Sequence, residues 1–201
     1  MGKVVANMSM SLDGFIAEPG DGVGELFDWY GAGPVAYSLP GDHPARHVRV
    51  SAVSAEHLRR NVESMGALIA GRRLFDVAQG WGGAHPAGVP VVVLTHKAPE
   101  DWPHDDFVFV TDGIESAVAA ARKLAGDKHI SVASPTVAQQ ALTAGLLDEI
   151  SVDLVPVLFG RGIRFFGDLP GHVMLDDPEV VQGTRVTHLT YRVRKTAVPN
   201  G

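Results

Sequence analysis

The chain has 201 residues, a formal net charge of −6 and no cysteine. Its length predicts one domain with a full-sized core, and the missing thiols exclude disulfides, thiolate nucleophiles and zinc–thiolate sites. The acidic balance argues against a nucleic-acid partner, which needs a basic face; no apolar run approaches the ~20 residues that span a bilayer, so neither membrane nor nucleic acid is expected as a partner.

Strand-like sequence begins at Lys3 and runs to Ser9. That leaves no room for a signal peptide, whose charged and apolar regions need at least ~15 residues, so a cytoplasmic location is expected. Residues 18–53 have weak periodicity and many Gly, Pro and His residues, and are expected to form a long functional or mobile loop on the substrate side. Residues 54–64 predict a helix with Ser54 as its N-cap. Met65 to Ala70 is a compact apolar strand, after which Gly71-Arg72-Arg73-Leu74-Phe75 begins a helix. Pro90 to Thr95 reads as a buried strand and Phe107 to Val110 as another. An Ala-rich helix over 114–125, a strand over His129 to Ala133 and a helix over Thr136 to Ala144 follow, the last stopped by Gly145. Ile150, Val152 and Leu154 alternate with Ser151 and Asp153, and Leu189, Tyr191 and Val193 alternate with Thr190, Arg192 and Arg194, the period of half-buried strands. Strands separated by helices predict an α/β fold with a mostly parallel sheet. The last two strands have no helix between them and predict an antiparallel edge. No boundary divides residues 1–201, so a single domain is expected.

Three strand ends carry residues suited to a phosphate-bearing ligand, which in open α/β sheets sits at the carboxyl ends of strands. Gly71 permits close backbone approach, and the guanidiniums of Arg72 and Arg73 offer forks that fit phosphate, though an Arg pair opening a solvated helix reads the same way. Leu94-Thr95-His96 ends the Val-rich strand. In Val132-Ala133-Ser134-Pro135-Thr136-Val137, Ser134 is placed as N-cap and Pro135 as the first helical residue. The amides of Thr136 and Val137 then stay free for an anion, or the segment is simply a well-capped helix. Asp13, in Ser11-Leu12-Asp13-Gly14, is the acid nearest the first strand; it either contacts substrate and assists proton delivery or serves a turn. Arg161 and Arg164, in Gly160-Arg161-Gly162-Ile163-Arg164, are candidates for a substrate phosphate or for surface charge. His43 and His47 are separated by Pro44, which argues against a helical metal pair, and no metal site is expected. A Gly-x-Ser-x-Gly elbow, a Walker loop and a Gly-x-Gly-x-x-Gly turn after the first strand are absent.

Two distant segments, Met10-Ser11-Leu12-Asp13-Gly14-Phe15-Ile16-Ala17 and Gly145-Leu146-Leu147-Asp148-Glu149-Ile150 leading into Val155-Pro156-Val157-Leu158-Phe159-Gly160, carry a further signal. Together they resemble the dihydrofolate-reductase-like superfamily, and within it the branch holding the reductase domain of riboflavin biosynthesis. The resemblance implies a three-layer α/β/α fold and hydride transfer from NADPH. It implies that Arg72 or Arg73 holds the 2′-phosphate, that Thr95 and His96 lie near the adenosine, and that backbone near Ile16 faces the nicotinamide carboxamide. It also implies a turn at Ser134, Thr136 and Val137 that cradles the diphosphate, although relatives have glycines there and this chain has none. The implied substrate is a small heterocyclic or sugar-derived molecule, first a phosphoribosylaminopyrimidine; the alternatives are a pterin such as dihydrofolate, or a non-catalytic NADP-binding dimer. A homodimer is the implied assembly. The classical folate enzymes carry an acid on the helix after the first loop; Asp28 is a weak match.

Overall fold

A computed structural model describes residues 2–44, 47–167 and 169–195. Its centre is an eight-stranded sheet in the order β11-β12-β9-β1-β8-β5-β6-β7. Six strands run parallel: β1 (Val4–Ser11), β5 (Met65–Gly71), β6 (Val91–Leu94), β7 (Phe107–Val110), β8 (His129–Val132) and β9 (Glu149–Val155). The edge strands β11 (Glu179–Gln182) and β12 (Thr187–Arg192) are antiparallel, as the missing helix between the last strands predicts.

Alternation along the strands builds two apolar layers. Ala67 and Ile69 of β5 face α3 (Ile114–Ala125) and α4 (Pro135–Thr143), joining Val4, Ala6, Ala117 and Ala121 in the largest core cluster. Small alanines on α3 let that helix lie close to the sheet. Leu68 and Ala70 face the other way and pack with Phe75 of α2 (Arg72–Val77), Val91 and Val93. Helix α1 (Ala52–Ser64) lies on this second side, where Leu58 packs with Val50, Val155 and Val186. The layering is therefore α/β/α, as expected.

Three expectations are corrected. Residues 18–53 are not one irregular loop. They contain a 3-10 helix at Gly24–Gly31 and a hairpin of β3 (Val35–Ser38) and β4 (His47–Val50), and Leu26, Trp29, Val48 and Val50 are buried. Elements this short lack the 11–18 residues that make periodicity readable. Second, α1 starts earlier: Ser51 is its N-cap, accepting the Ser54 N–H at 3.3 Å, while Ser54 itself is buried in the first turn. Third, β9 is not half-exposed, because Ser151 and Asp153 are as buried as their apolar neighbours.

Candidate functional site

The carboxyl ends of β9, β1, β8, β5 and β6 lie side by side along one rim of the sheet. This order brings the sequence-predicted residues into a single line, from the loop after β9 to the turn after β6.

At one end, the turn after β1 is organised by the Asp13 carboxylate. The Ser11 hydroxyl donates to it at 2.6 Å, and the backbone N–H groups of Phe159 and Gly160 donate at 3.1 and 2.7 Å. The Ser11 hydroxyl first, and the two amides after it, hold the Asp13 carboxyl well below its usual range, at about 2. The group is therefore a firm anion that ties the β1 turn to the loop after β9. Gly14 takes φ +91° to make this turn. The short strand β2 (Phe15–Ala17) then pairs with β10 (Ile163–Arg164), and the side chain of Ile16 enters the main core. Arg164 lies over the Phe15 ring at 4.5 Å and donates weakly, at 3.4 Å, to the Asp13 carbonyl. Arg161 lines an open groove of about 560 Å³ with Glu18, Glu25, Val157, Leu158 and Phe159. Arg161 thus faces two carboxylates in that groove. Asp28 is exposed on the 3-10 helix and Trp29 beside it is buried.

At the middle of the rim, Ser134 does occupy the N-cap position of α4, with Pro135 following, but its hydroxyl does not cap the helix. It accepts the Gly71 N–H at 2.8 Å instead, so the two turns are stitched together. A Cβ at Gly71 would stand 3.3 Å from the Ser134 Oγ and from Val137, a tight contact that glycine avoids. With the hydroxyl committed elsewhere, the N–H groups of Thr136 and Val137 have no acceptor among the described residues, and Thr136 is exposed.

At the far end, Arg72 donates to Asp76 at 2.8 and 3.0 Å and to the Lys97 carbonyl at 2.8 Å. Arg73 reaches across to the loop after β2 and forms a two-pronged pair with Asp21, at 2.7 and 3.0 Å. Thr95 is buried and its hydroxyl closes a turn with Lys97, donating to the carbonyl at 3.0 Å and accepting the N–H at 3.3 Å. His96 is exposed beside it.

Sequence reasoning missed a buried polar column beneath this rim. Asp153 accepts from His188 Nδ1 at 2.7 Å, His188 Nε2 lies 2.9 Å from the Ser54 hydroxyl, and the His57 ring stacks on His188 at 4.0 Å. Ligand-type atoms of His57, Asp153 and His188 all lie within 4.8 Å of one another. Burial, outweighing the attraction of Asp153, lowers the pKa of His57 to about 4. The Ser–His–Asp order is that of a nucleophilic triad, but Ser54 and His188 are each only 1% exposed. A Cβ at Gly183 would sit 2.3 Å from the Ser54 Oγ, so no substrate reaches it. The signal available in the sequence was Asp153, one of the polar residues that alternate with apolar ones along the strand Glu149–Val155.

The family model of the RibD C-terminal domain matches residues 2–189. A structure described as a candidate riboflavin biosynthesis protein of Shewanella sp. PV-4 superposes with a TM-score of 0.70 and 22% identity, covering 96% of this chain and 99% of that one. The riboflavin biosynthesis reductase Rib7 of Saccharomyces cerevisiae gives 0.61 and 12% identity, over 96% and 90% of the two chains. Dihydrofolate reductase of Enterococcus faecalis, solved with NADP(H) and an inhibitor named RAB-propyl, gives 0.57 and 18% identity, over 96% and 98%. At these identities the likenesses show a shared fold. No curated protein matches the chain in sequence.

Proposed function

The chain belongs to the RibD C-terminal domain family, and from that premise we propose that it is an NADPH-dependent reductase of a small heterocyclic or sugar-derived substrate. The observation that carries this reading is the pair of unused N–H donors, Thr136 and Val137, at the start of α4, tied through Ser134 to Gly71, which Arg72 and Arg73 follow in the chain. A helix N-terminus with free amides is suited to a diphosphate, and the lack of a Cβ at Gly71, where one would crowd Ser134 Oγ and Val137 at 3.3 Å, lets the two turns lie close together. The residues present therefore fit the cofactor.

When bound, NADPH supplies a hydride from C4 of its nicotinamide ring. The chain's part is alignment. Thr136 and Val137 would hold the diphosphate, Arg72 and Arg73 would receive the 2′-phosphate, and the backbone near Ile16 would hold the carboxamide. Thr95 and His96 border the adenosine. Hydride delivery to the carbon of a C=N or C=O bond would leave the nitrogen or oxygen to be protonated. Asp13, held ionised by three donors, is a poor source of that proton at neutral pH; water supplies it. Asp13 instead fixes the loop that carries Arg161, setting the wall of the substrate groove. A ribityl-forming reduction of a phosphoribosylaminopyrimidine is the leading specific reaction, as in the riboflavin reductases of this fold. Arg161 and Arg164 are the cations on hand for its phosphate.

Fluorescence titration with NADPH and NADH tests the reading. Replacing both Arg72→Ala and Arg73→Ala weakens NADPH binding at least tenfold and removes most of the preference over NADH. Equal losses for the two cofactors would count against the 2′-phosphate assignment. Single-turnover oxidation of bound NADPH across a panel of pyrimidines and pterins then identifies the substrate.

A further inference from the structure

A second cavity lies away from the rim just described. It lies at the opposite end of the sheet, beneath the C-terminal half of α1, and has a volume of about 600 Å³. That is within the ~300–1,000 Å³ typical of small-molecule pockets. Its floor is the amino-terminal halves of β8, β1 and β9, with the end of β12 beside them.

The floor has an unusual composition. A sheet face covered by a helix is normally apolar, and the other face of these same strands is, with Val4, Ala6, Ile130 and Val132. Here four adjacent strands each raise a polar side chain: Ser131 on β8, Asn7 on β1, Ser151 on β9 and Thr190 on β12. Asn7, Ser151 and Thr190 stand in one register row. None of the four side chains has a hydrogen-bond partner among the described residues. Ser131 and Ser151 are only 8% and 4% exposed, and both line the cavity. Their polar atoms are not sealed off: each keeps access to the cavity, where an entering molecule can meet it.

The charged residues around the cavity are spent on one another. Glu149 is held by Lys3 at 2.6 Å and approached by Arg192 at 3.9 Å. Arg60 lies 3.9 Å from Glu56 and 3.6 Å from Glu179. Asp176 is paired with Arg194 at 2.6 Å. Asp177 and His129 stand at the cavity as well, and the floor between these groups is neutral: three hydroxyls and a carboxamide, each able both to donate and to accept. No Phe, Tyr or Trp lines the cavity; the rings at its wall are those of His57 and His129.

We propose that this cavity binds a small uncharged polyol of monosaccharide size, gripped by Asn7, Ser131, Ser151 and Thr190. Aliphatic hydroxyls also donate and accept, so a polyol reproduces the bonds of the water it displaces from such a floor. The site is separate from the cofactor rim, and its occupancy does not depend on the reductase reading.

The test is a nuclear magnetic resonance titration of the isotopically labelled full chain, saturated with NADPH, against D-ribose, D-glucose and myo-inositol. The expected result is saturable shifts with at least one polyol, centred on the amides of residues 5–7, 131, 151 and 190. Asn7→Leu with Thr190→Val, near-isosteric changes, weakens that binding at least tenfold while leaving the thermal midpoint unchanged or raised. Ser131→Ala, a milder change, weakens it severalfold. Absence of saturable shifts with all three polyols in the wild-type chain overturns the proposal. So do shifts confined to the cofactor rim, and so does sedimentation showing that the paired substitution turns a dimer into a monomer, which would make this face an interface between copies.

Discussion

Asp21 sits on Arg73 as a phosphate would, with two oxygens across a guanidinium fork. The residue that selects the cofactor by our reading is thus held by an internal anion from the loop after β2. The Arg73 side chain is 67% exposed, and exposed pairs contribute roughly 0–1 kcal/mol. The competition it sets up is therefore modest and sensitive to salt. Asp21→Asn is expected to tighten NADPH binding about two- to fivefold at low ionic strength, with NADH unaffected and the gain fading as salt rises. Asparagine tolerates the φ of +67° at this position, so the fold is not disturbed. Weaker NADPH binding in a titration of the variant would show that Asp21 supports the site instead of competing for it.

Among the elements, the tie between the turn before α2 and the turn before α4 matters most for the rim. The buried Gly71 N–H has Ser134 Oγ as its acceptor. Ser134→Ala strands that donor, and the penalty for an unsatisfied buried group is about 1–3 kcal/mol. Urea unfolding should register a loss of that size, accompanied by weaker NADPH binding, because Thr136 and Val137 follow directly on the turn. An unchanged unfolding free energy would mean that the tie is not structurally important. The capping logic was legible in the sequence at this point: Ser-Pro before an amphipathic run does begin a helix. What the hydroxyl bonds to was not, since its partner is 63 residues away in the chain. The same distinction explains α1. Ser51 and Ser54 are both good N-cap types, and the choice between them was settled by His188, 134 residues from Ser54, which draws the second serine into the core.

Taken as a whole, the molecule carries a polar layer under α1 that makes its stability depend on pH. His57 is 5% exposed and burial lowers its pKa to about 4, from an ordinary 6.5. Below pH 6.5 the unfolded chain binds a proton that the folded chain does not take up until near pH 4. The unfolding free energy therefore falls as the pH drops through that window, by about 2 kcal/mol between pH 7 and pH 5. His57→Gln removes this contribution and flattens that part of a urea-midpoint profile; a slope unchanged by the substitution would exclude His57 as its source. The anchoring by Asp13 has the same sign at lower pH. Its carboxylate is stabilised in the folded state, so its contribution is complete above about pH 4 and disappears as pH falls towards 2.

Periodicity, turn residues and chain order were enough to determine the α/β class and the parallel sheet with its antiparallel edge. These follow from short-range sterics and from the rule that a sheet must bury both faces. Tertiary structure alone decided the rest: that Leu26, Trp29, Val48 and Val50 fold an apparently irregular segment onto the sheet, that Asp153 finds two histidines, and that four unrelated polar residues share one cavity floor. Each of those outcomes depends on groups far apart in the chain, and a pattern confined to neighbouring residues contains no term for such meetings.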